Sequence, residues 1–364
     1  MTPFHTCLLC AVFLGLTPER WSATEDVKPK PFVTFSVKPE ESVRADAHWM
    51  AFTPSGARLV VRYTEPRSSD AVLGLFDSTT GKSVSSTTIK GGGGPENSRT
   101  VCAIAPDGGW IAYTDEQNLR FLALPPGKPA LPGGGAIEIS RAPTTVGASV
   151  WLDGKSEKAF LYRSGAIVPT LEQWDLGKKP QSVVLREPQG GTALYAHSLH
   201  SGTHRLALSC GPSGTGKPRL ESWSFAEKPS KVNVEIKFRA SSLAHSPDGS
   251  VLAAGFDDGS VAWYDAATLK VLKETQPLGR QFTVATVAFH PGGKHLVCGT
   301  LDRGMPNLFF VTILTGQVAA ALVADANGVT KVCFDTSGEK VAAFGANGTV
   351  TIWDATALLK LQRD

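Results

Sequence analysis

The residues that could do chemistry are few and scattered along the chain. Gly211–Lys217 reads GPSGTGK and mimics a phosphate-binding loop. Such a loop needs a hydroxyl residue after its lysine to ligate Mg²⁺, and a run of backbone N–H groups to cradle phosphate. Here Pro218 follows Lys217, so the metal ligand and one N–H are both missing. The segment reads as a flexible hairpin loop. His197, His200 and His204 sit three and four residues apart. On a helix they would share a face, but around a strand and its turn His197 and His200 point to opposite sides. Surface and turn histidines are therefore expected, not a metal site. Asp115-Glu116 and Asp257-Asp258 are paired carboxylates, yet both fall where the chain turns, and turn chemistry accounts for them. No nucleophile elbow, no HExxH helix and no dinucleotide fingerprint occurs. No catalytic set, no cofactor and no metal is expected.

One pattern of charged residues does recur. Arg44, Arg99, Arg141, Arg239 and Arg280 each stand shortly before an apolar segment of strand character. Arg163, Lys217 and Arg303 stand a strand and a turn further on in their own units. What they could do depends on the elements that carry them.

Those elements repeat. Leu243 begins LAHSPDGSVLAAGFDDGSVAWYDAATLK, Val287 begins VAFHPGGKHLVCGTLD, and Val332 begins VCFDTSGEKVAAFGANGTVTIWDATALL. The same grammar starts at Met50, Val101, Ser149 and Tyr195, which makes seven units. The position two before each turn glycine falls at Pro54, Pro106, Leu152, His200, Pro247, Pro291 and Thr336, so successive units are 44 to 52 residues apart. About 40 to 45 residues is the usual length of one four-stranded propeller blade. Apolar residues alternate, as in Val287-Ala288-Phe289 and Val350-Thr351-Ile352, which is strand periodicity. Pro-Asp-Gly and Pro-Ser-Gly set tight turns, and Asp258-Gly259 and Asn347-Gly348 set a second hairpin. The run after each first turn (Leu252-Ala253-Ala254, Leu296-Val297-Cys298, Val341-Ala342-Ala343-Phe344) is continuously apolar and suits a strand covered on both faces. An aromatic and a carboxylate close the third strand at Trp174-Asp175, Tyr264-Asp265, Trp353-Asp354 and Phe76-Asp77. No unit can bury both its faces alone, so the units must stack.

The expected fold is all-β: a seven-bladed β-propeller of four-stranded antiparallel blades over residues 31–364. Pro31–Lys38 (PFVTFSVK) could add to the last blade and lock the ring, and Leu358–Gln362 could take the same slot. His245 occupies a column otherwise filled by Phe52, Ile104, Val150, Ser198, Phe289 and Phe334, and is expected to be an inter-blade residue.

At GSVAWYDAAT, GTVTIWDATA and SPDGSVLAAGFDDG the chain resembles the WD-repeat family, over about residues 44–362. The Gly-His pair that precedes the first strand in that family is missing from every unit. The buried His–Ser/Thr–Asp–Trp network built on it is therefore not carried over, and apolar packing must do more. The resemblance implies a non-enzymatic scaffold that binds a protein partner on the loop face around the channel. A lactonase-like or other propeller hydrolase with a channel-end site is the alternative, and an exported structural or envelope-associated protein is another. In a propeller, the loops bearing Arg44, Arg99, Arg141, Arg239 and Arg280 and those bearing Arg163, Lys217 and Arg303 emerge on one face. They are expected to form a partly basic rim for an acidic partner or an anionic ligand, diluted by Asp115, Asp257 and Asp302.

Composition bounds the rest. The chain has 364 residues, 42% apolar and 19% charged, with 37 glycines and 24 prolines. Its net charge of +3, from 36 basic and 33 acidic side chains, is too small to imply nucleic acid. Thr6–Leu16 (TCLLCAVFLGL) is too short to span a bilayer but fits the apolar core of a secretory signal, with Ser22 and Ala23 before a cleavage point. Residues 1–23 are read as a signal peptide or tail and 24–30 as a linker. Export or a periplasmic place is slightly favoured over the cytoplasm. No membrane span is expected, and a monomer is. Cys102, Cys210, Cys298 and Cys333 fall in expected strands at spacings that match no zinc pattern, and read as buried free thiols.

Overall fold

The computed structural model describes residues 30–37, 45–65, 68–90, 101–115, 118–125, 136–138, 145–153, 155, 157–165, 170–176, 181–186, 192–212, 216–226, 229–277, 282–303 and 306–360. Tight turns create the repeating unit. Gly56, Gly108, Gly249, Gly293 and Gly338 close the first hairpin of five units at φ between +67° and +77°, where a Cβ would be strained. Gly249 has a second reason to be glycine: a Cβ there would come within 2.5 Å of His200 in the preceding unit. In the fourth unit the left-handed position falls to His204 at φ +50°, a residue type that tolerates it. The His204 ring is held edge-on between Phe160 and Phe225 at 6.4 and 5.6 Å.

Strands β1 to β28, numbered in chain order, form seven four-stranded antiparallel sheets. Six sheets take their strands in sequence order. Their innermost strands are β2 (Asp46–Phe52), β6 (Ala103–Ile104), β10 (Thr145–Leu152), β14 (Thr192–His200), β18 (Ala240–His245) and β22 (Val284–Phe289). The seventh sheet begins at β26 (Val329–Phe334) and runs on through β27 (Lys340–Gly345) and β28 (Thr349–Asp354) to β1 (Val33–Ser36). The strand Val33–Ser36 (β1) therefore closes the last blade, pairing Val33 with Ile352 and Ser36 with Thr349 of β28 (Thr349–Asp354). Of the two closures open to the sequence, the N-terminal one is used. Ala355–Lys360 forms the short helix α1 instead, and Asp354 Oδ1 accepts the N–H of Ala357 at 2.8 Å. Residues 361 and 362 lie outside the described residues.

Seven apolar clusters fill the seven spaces between neighbouring blades. One joins Leu59, Val61 and Phe76 of the first blade to Phe344, Val350 and Ile352 of the seventh, which completes the ring. The second strands are covered on both faces: Val341–Gly345 is buried throughout, as is Leu252–Phe256. Burial at roughly 25 cal/mol per Å² of apolar surface on both sides of each blade is what holds the wheel together. Cys210, Cys298 and Cys333 lie in strands and Cys102 lies directly before β6. All four are free thiols, three of them buried. Burial raises each thiol pKa, that of Cys210 to about 11.

Apolar packing is not the whole core. In the third blade, Trp174 Nε1 donates to Glu172 at 2.9 Å, and in the fourth Trp223 Nε1 donates to Glu221 at 2.8 Å. Both glutamates are only 3% exposed. Residues two apart on a strand share a face, so the Leu-Glu-x-Trp spacing places carboxylate and indole side by side. In these two units a buried glutamate takes the indole N–H beside the apolar packing that the sequence led us to expect.

Candidate functional site at the channel mouth

The innermost strands carry a repeated irregularity. Six of the seven pairings between first and second strands slip by one residue near the start of the first strand. The unpaired residues are His48, Val146, Tyr195, Ser241, Ala285 and Thr330. A bulge of this kind re-aims a side chain and frees a backbone carbonyl. At two bulges an aliphatic hydroxyl serves such a carbonyl: Ser241 Oγ donates to Gly255 O at 3.1 Å and Thr330 Oγ1 to Phe344 O at 3.2 Å.

Four bulged residues, His48, Tyr195, Ser241 and Ala285, line one pocket of about 160 Å³. Trp49, His197, Ser242 and Lys331 complete its functional lining. These residues come from the first strands of five blades, so the pocket lies where the ring converges on its axis. It sits towards the strand starts, the end at which Arg239 precedes β18.

Hydrogen bonds from blade to blade fix this mouth. His197 Nε2 lies 2.6 Å from Ser149 Oγ, which also accepts the N–H of Val101 at 2.9 Å. Ser241 Oγ donates to Val284 O at 2.6 Å, Ser242 Oγ accepts from Val287 N at 3.1 Å, and Thr286 Oγ1 accepts from Val332 N at 3.3 Å. His48 Nε2 is 2.9 Å from Thr64 Oγ1. Side chains thus tie the second blade to the third, the third to the fourth, the fifth to the sixth and the sixth to the seventh, while the His48–Thr64 contact lies within the first blade.

The expected rim residues separate into three groups. Arg44, Arg99, Arg141 and Arg280 lie outside the described residues. Arg163 belongs to β11 (Lys158–Gly165), opposite Ala148 and Thr170, with its side chain outside the described set. Arg239 and Arg303 are described and exposed. Arg239 Nε donates to Asp257 at 2.7 Å, and its guanidinium lies 5.2 Å from the Tyr195 ring centroid, so it borders the pocket. Lys217 pairs with Glu235 at 3.2 Å, both largely exposed, a contact of little energetic weight. The described rim is thus acid-compensated at Arg239 and Lys217.

The three spaced histidines are not brought together. His197 faces the mouth, whereas His200 is the last residue of β14 at the opposite end, with Nε2 3.1 Å from Pro247 O of the next blade. Among the described residues no group of three His, Cys, Asp or Glu side chains is placed to hold a metal. His245 stands between blades, its Nδ1 2.9 Å from Ser198 Oγ. Burial, with the nearby charges of His200 and Arg205, pushes its pKa down to about 3, so the imidazole is neutral at ordinary pH. The bulged residues themselves escaped the sequence reading. One inserted residue near the start of a strand of six to nine leaves too short an alternation before it to betray it.

Comparison with known proteins agrees with this geometry. A family model for the WD domain, G-beta repeat, matches residues 237–265 and 316–354, the fifth blade and the end of the sixth with the seventh. The mouse U3 small nucleolar RNA-associated protein 4 homolog is 28% identical over 123 residues, 31% of this chain and 17% of that protein. Mouse telomerase protein component 1 is 32% identical over 111 residues, 30% of this chain and 4% of that protein. The chain thus corresponds to a small part of the curated relatives it matches. The crystal structure of the β-propeller domain of Cps50 (Swd1) from Myceliophteria thermophila superposes with a TM-score of 0.62 at 15% identity, covering 85% of this chain and 96% of that one. The ring is matched in structure and two of its segments are similar in sequence to WD repeats, so the chain is a β-propeller with WD-like repeats at residues 237–265 and 316–354.

Proposed function

We propose that the chain is a non-enzymatic scaffold that binds a protein partner on the loop face around the channel mouth. The observation that carries this reading is the mouth itself. Five blades deliver side chains to one open pocket, and hydrogen bonds between blades hold His197, Ser241 and Ser242 among them. A rigid rim with adaptable loops is the arrangement that places binding residues in many proteins. The similarity of two segments to WD repeats supports it, since WD-repeat propellers are generally not enzymes. Two similar proteins are named for an association with a small nucleolar RNA and as a component of telomerase, that is, as members of assemblies. A partner of acidic character would suit exposed Arg303.

Affinity capture with mass spectrometry tests this. The wild-type chain should retain a protein that the double variant Arg239→Glu, Arg303→Glu retains at least about tenfold less well, as expected for lost rim charge complementarity. Leu314→Glu, in a turn at the opposite end of the blades, should retain it fully. Equal retention by all three proteins would reject the loop face as the binding surface.

A further inference from the structure

We propose that the outer edge of the first blade takes up an extended segment of a protein partner, added to the sheet as a fifth strand and bearing an acidic residue towards each end. This surface lies on the rim of the wheel, apart from the channel mouth, and stands whether or not the mouth binds. Each blade ends in an outer strand, and the outward N–H and C=O groups of such an edge are a template for pairing. Proteins blunt these edges by keeping them short, charging them or covering them. The outer strands β9 (Ala136–Glu138) and β1 have three and four residues. Those of β13 (Gln181–Arg186), β17 (Ser230–Glu235) and β21 (Val271–Thr275) carry Arg186, Lys231 and Lys273. The strand β25 (Val318–Leu322) has five residues and packs beside α1. The outer strand of the first blade, β5 (Ser83–Ile89, SVSSTTI), is different: seven residues with no charge and no proline, of which Ser83–Ser86 and Thr88 are exposed.

The ladder fixes which backbone groups point outward. Strand β5 pairs with β4 (Ala71–Asp77), setting Leu75 opposite Ser85, Leu73 opposite Thr87 and Ala71 opposite Ile89. Asp77 N donates to Lys82 O at 2.9 Å. Hydrogen-bonded pairs alternate along an antiparallel ladder. Ser85, Thr87 and Ile89 therefore direct their N–H and C=O to β4, and Ser86 and Thr88 direct theirs outward. The register shift falls at Val84, near one end, and leaves Ser85–Ile89 unbroken. A strand laid against Ser86 and Thr88 binds by main-chain hydrogen bonds, as in strand addition generally. Threonine and valine on that strand suit the hydroxyl side chains they would face. Charge decides the occupant. Lys82 and Lys90 are exposed and flank β5. Pairing with β5 of a second copy would set Lys82 of each chain at the same end of the ribbon as Lys90 of the other, directly opposite it at full overlap. Like charges so placed are destabilising, whereas an acidic residue at each end of the added strand is favourable.

The test uses the full chain and three capped peptides. One is a core of alternating threonine and valine, about seven residues to match the edge, with a glutamate at each end. The second has lysine at each end, and the third is the glutamate form N-methylated throughout its core. Binding is followed at low salt by isothermal titration and by hydrogen exchange of the Ser86 and Thr88 amides. The glutamate form should bind and slow both amides, the lysine form should bind at least about fivefold more weakly, and the N-methylated form should not bind. Ser86→Pro removes an outward N–H and no bond to β4, and should weaken the glutamate form about tenfold, whereas Ser86→Ala should bind as wild type does. The double variant Lys82→Glu, Lys90→Glu should prefer the lysine form, which keeps the proposal open to refutation even where Ser86→Pro fails to fold. No binding of the glutamate form, equal binding of the N-methylated form, unchanged exchange at Ser86 and Thr88, or an unchanged preference in the double variant would overturn the assignment. A wild-type dimer that Ser86→Pro dissociates would overturn it in favour of a second copy as the occupant.

Discussion

The fourth and seventh blades solve one packing problem with different chemistry. Both end their third strand with a tryptophan buried to 3% exposure between blades. In the seventh, Trp353 packs among Phe310, Val341 and Leu358, and the residue two before it is Thr351. In the fourth, the residue two before Trp223 is Glu221. Its carboxylate takes the indole N–H at 2.8 Å, Arg219 Nε at 2.7 Å and Lys231 Nζ at 3.0 Å. Lys231 belongs to the outer strand Ser230–Glu235 and also lies 4.4 Å over the Trp223 ring. The outer strand of the seventh blade is β1, which offers Thr34 to Thr351 at 3.4 Å. The same scaffold position thus accepts either an apolar or an ionic solution, and the partner strand decides which. The ionic solution is the more fragile, because removal of one member strands the others.

The largest effect should come from Glu221→Ala, which leaves Arg219, Lys231 and the Trp223 N–H without their acceptor. A loss of about 3 kcal/mol in urea unfolding is expected, the low end for a broken buried pair because both cations are about one-third exposed. Thr351→Ala in the seventh blade should cost no more than about 1 kcal/mol. Equal losses at the two positions would break the contrast.

Trp→Phe substitutions sharpen it. Trp223→Phe removes a donor to a buried carboxylate and should cost about 2 kcal/mol. Trp353→Phe mainly loses packing volume and should cost about 1 kcal/mol.

Acid provides a third comparison. Burial alone would raise the Glu221 pKa, but the hydrogen bonds and charges of Arg219 and Lys231 outweigh it and hold the pKa below the ordinary glutamate value. A folded-state pKa below the unfolded one means that the carboxylate stabilises the fold fully above about pH 4.3. That stabilisation is withdrawn as the pH falls through the lower folded value. Thermal unfolding followed from pH 6 to pH 3 should therefore fall more steeply for wild type than for Glu221→Gln. Parallel curves would show that Glu221 titrates alike in both states.

The smallest effect concerns the residue after the aromatic. Asp265 Oδ1 accepts the N–H groups of Ala267 and Thr268 at 3.1 and 2.8 Å and so fixes the turn of the fifth blade. The fourth blade has Ser224 at this place. Asp265→Ala should cost about 1 kcal/mol, and Ser224→Ala less than about 0.5 kcal/mol.

The ring was legible in the sequence because its determinants are local. Turn glycines at φ near +70°, Asp-Gly and Asn-Gly hairpins and doubly covered second strands each announce themselves within a few residues. The choice between β1 and the C-terminal residues for closure was not local. It depended on pairing between Val33–Ser36 and a strand more than 300 positions away, whereas Asp354 redirected the C-terminal residues into a capped helix. The Glu–Trp pairs were present in the sequence as Leu171-Glu172-Gln173-Trp174 and Leu220-Glu221-Ser222-Trp223, and the two-residue spacing could have found them. The mouth was the least legible part. Its bulges insert one residue each, and nothing in DAHWMAF marks His48 as the extra one. The arginines expected to form the rim were visible as a pattern, and of those described Arg239 is held by Asp257, an acid from the next loop.

Photo-cross-linking tests the role of the mouth most directly. A benzoylphenylalanine placed at position 195, the bulged residue beneath Arg239, should cross-link the captured partner, and one placed at position 314, in the turn on the opposite face, should not. Cross-linking from position 314 with none from position 195 would contradict binding at the channel mouth.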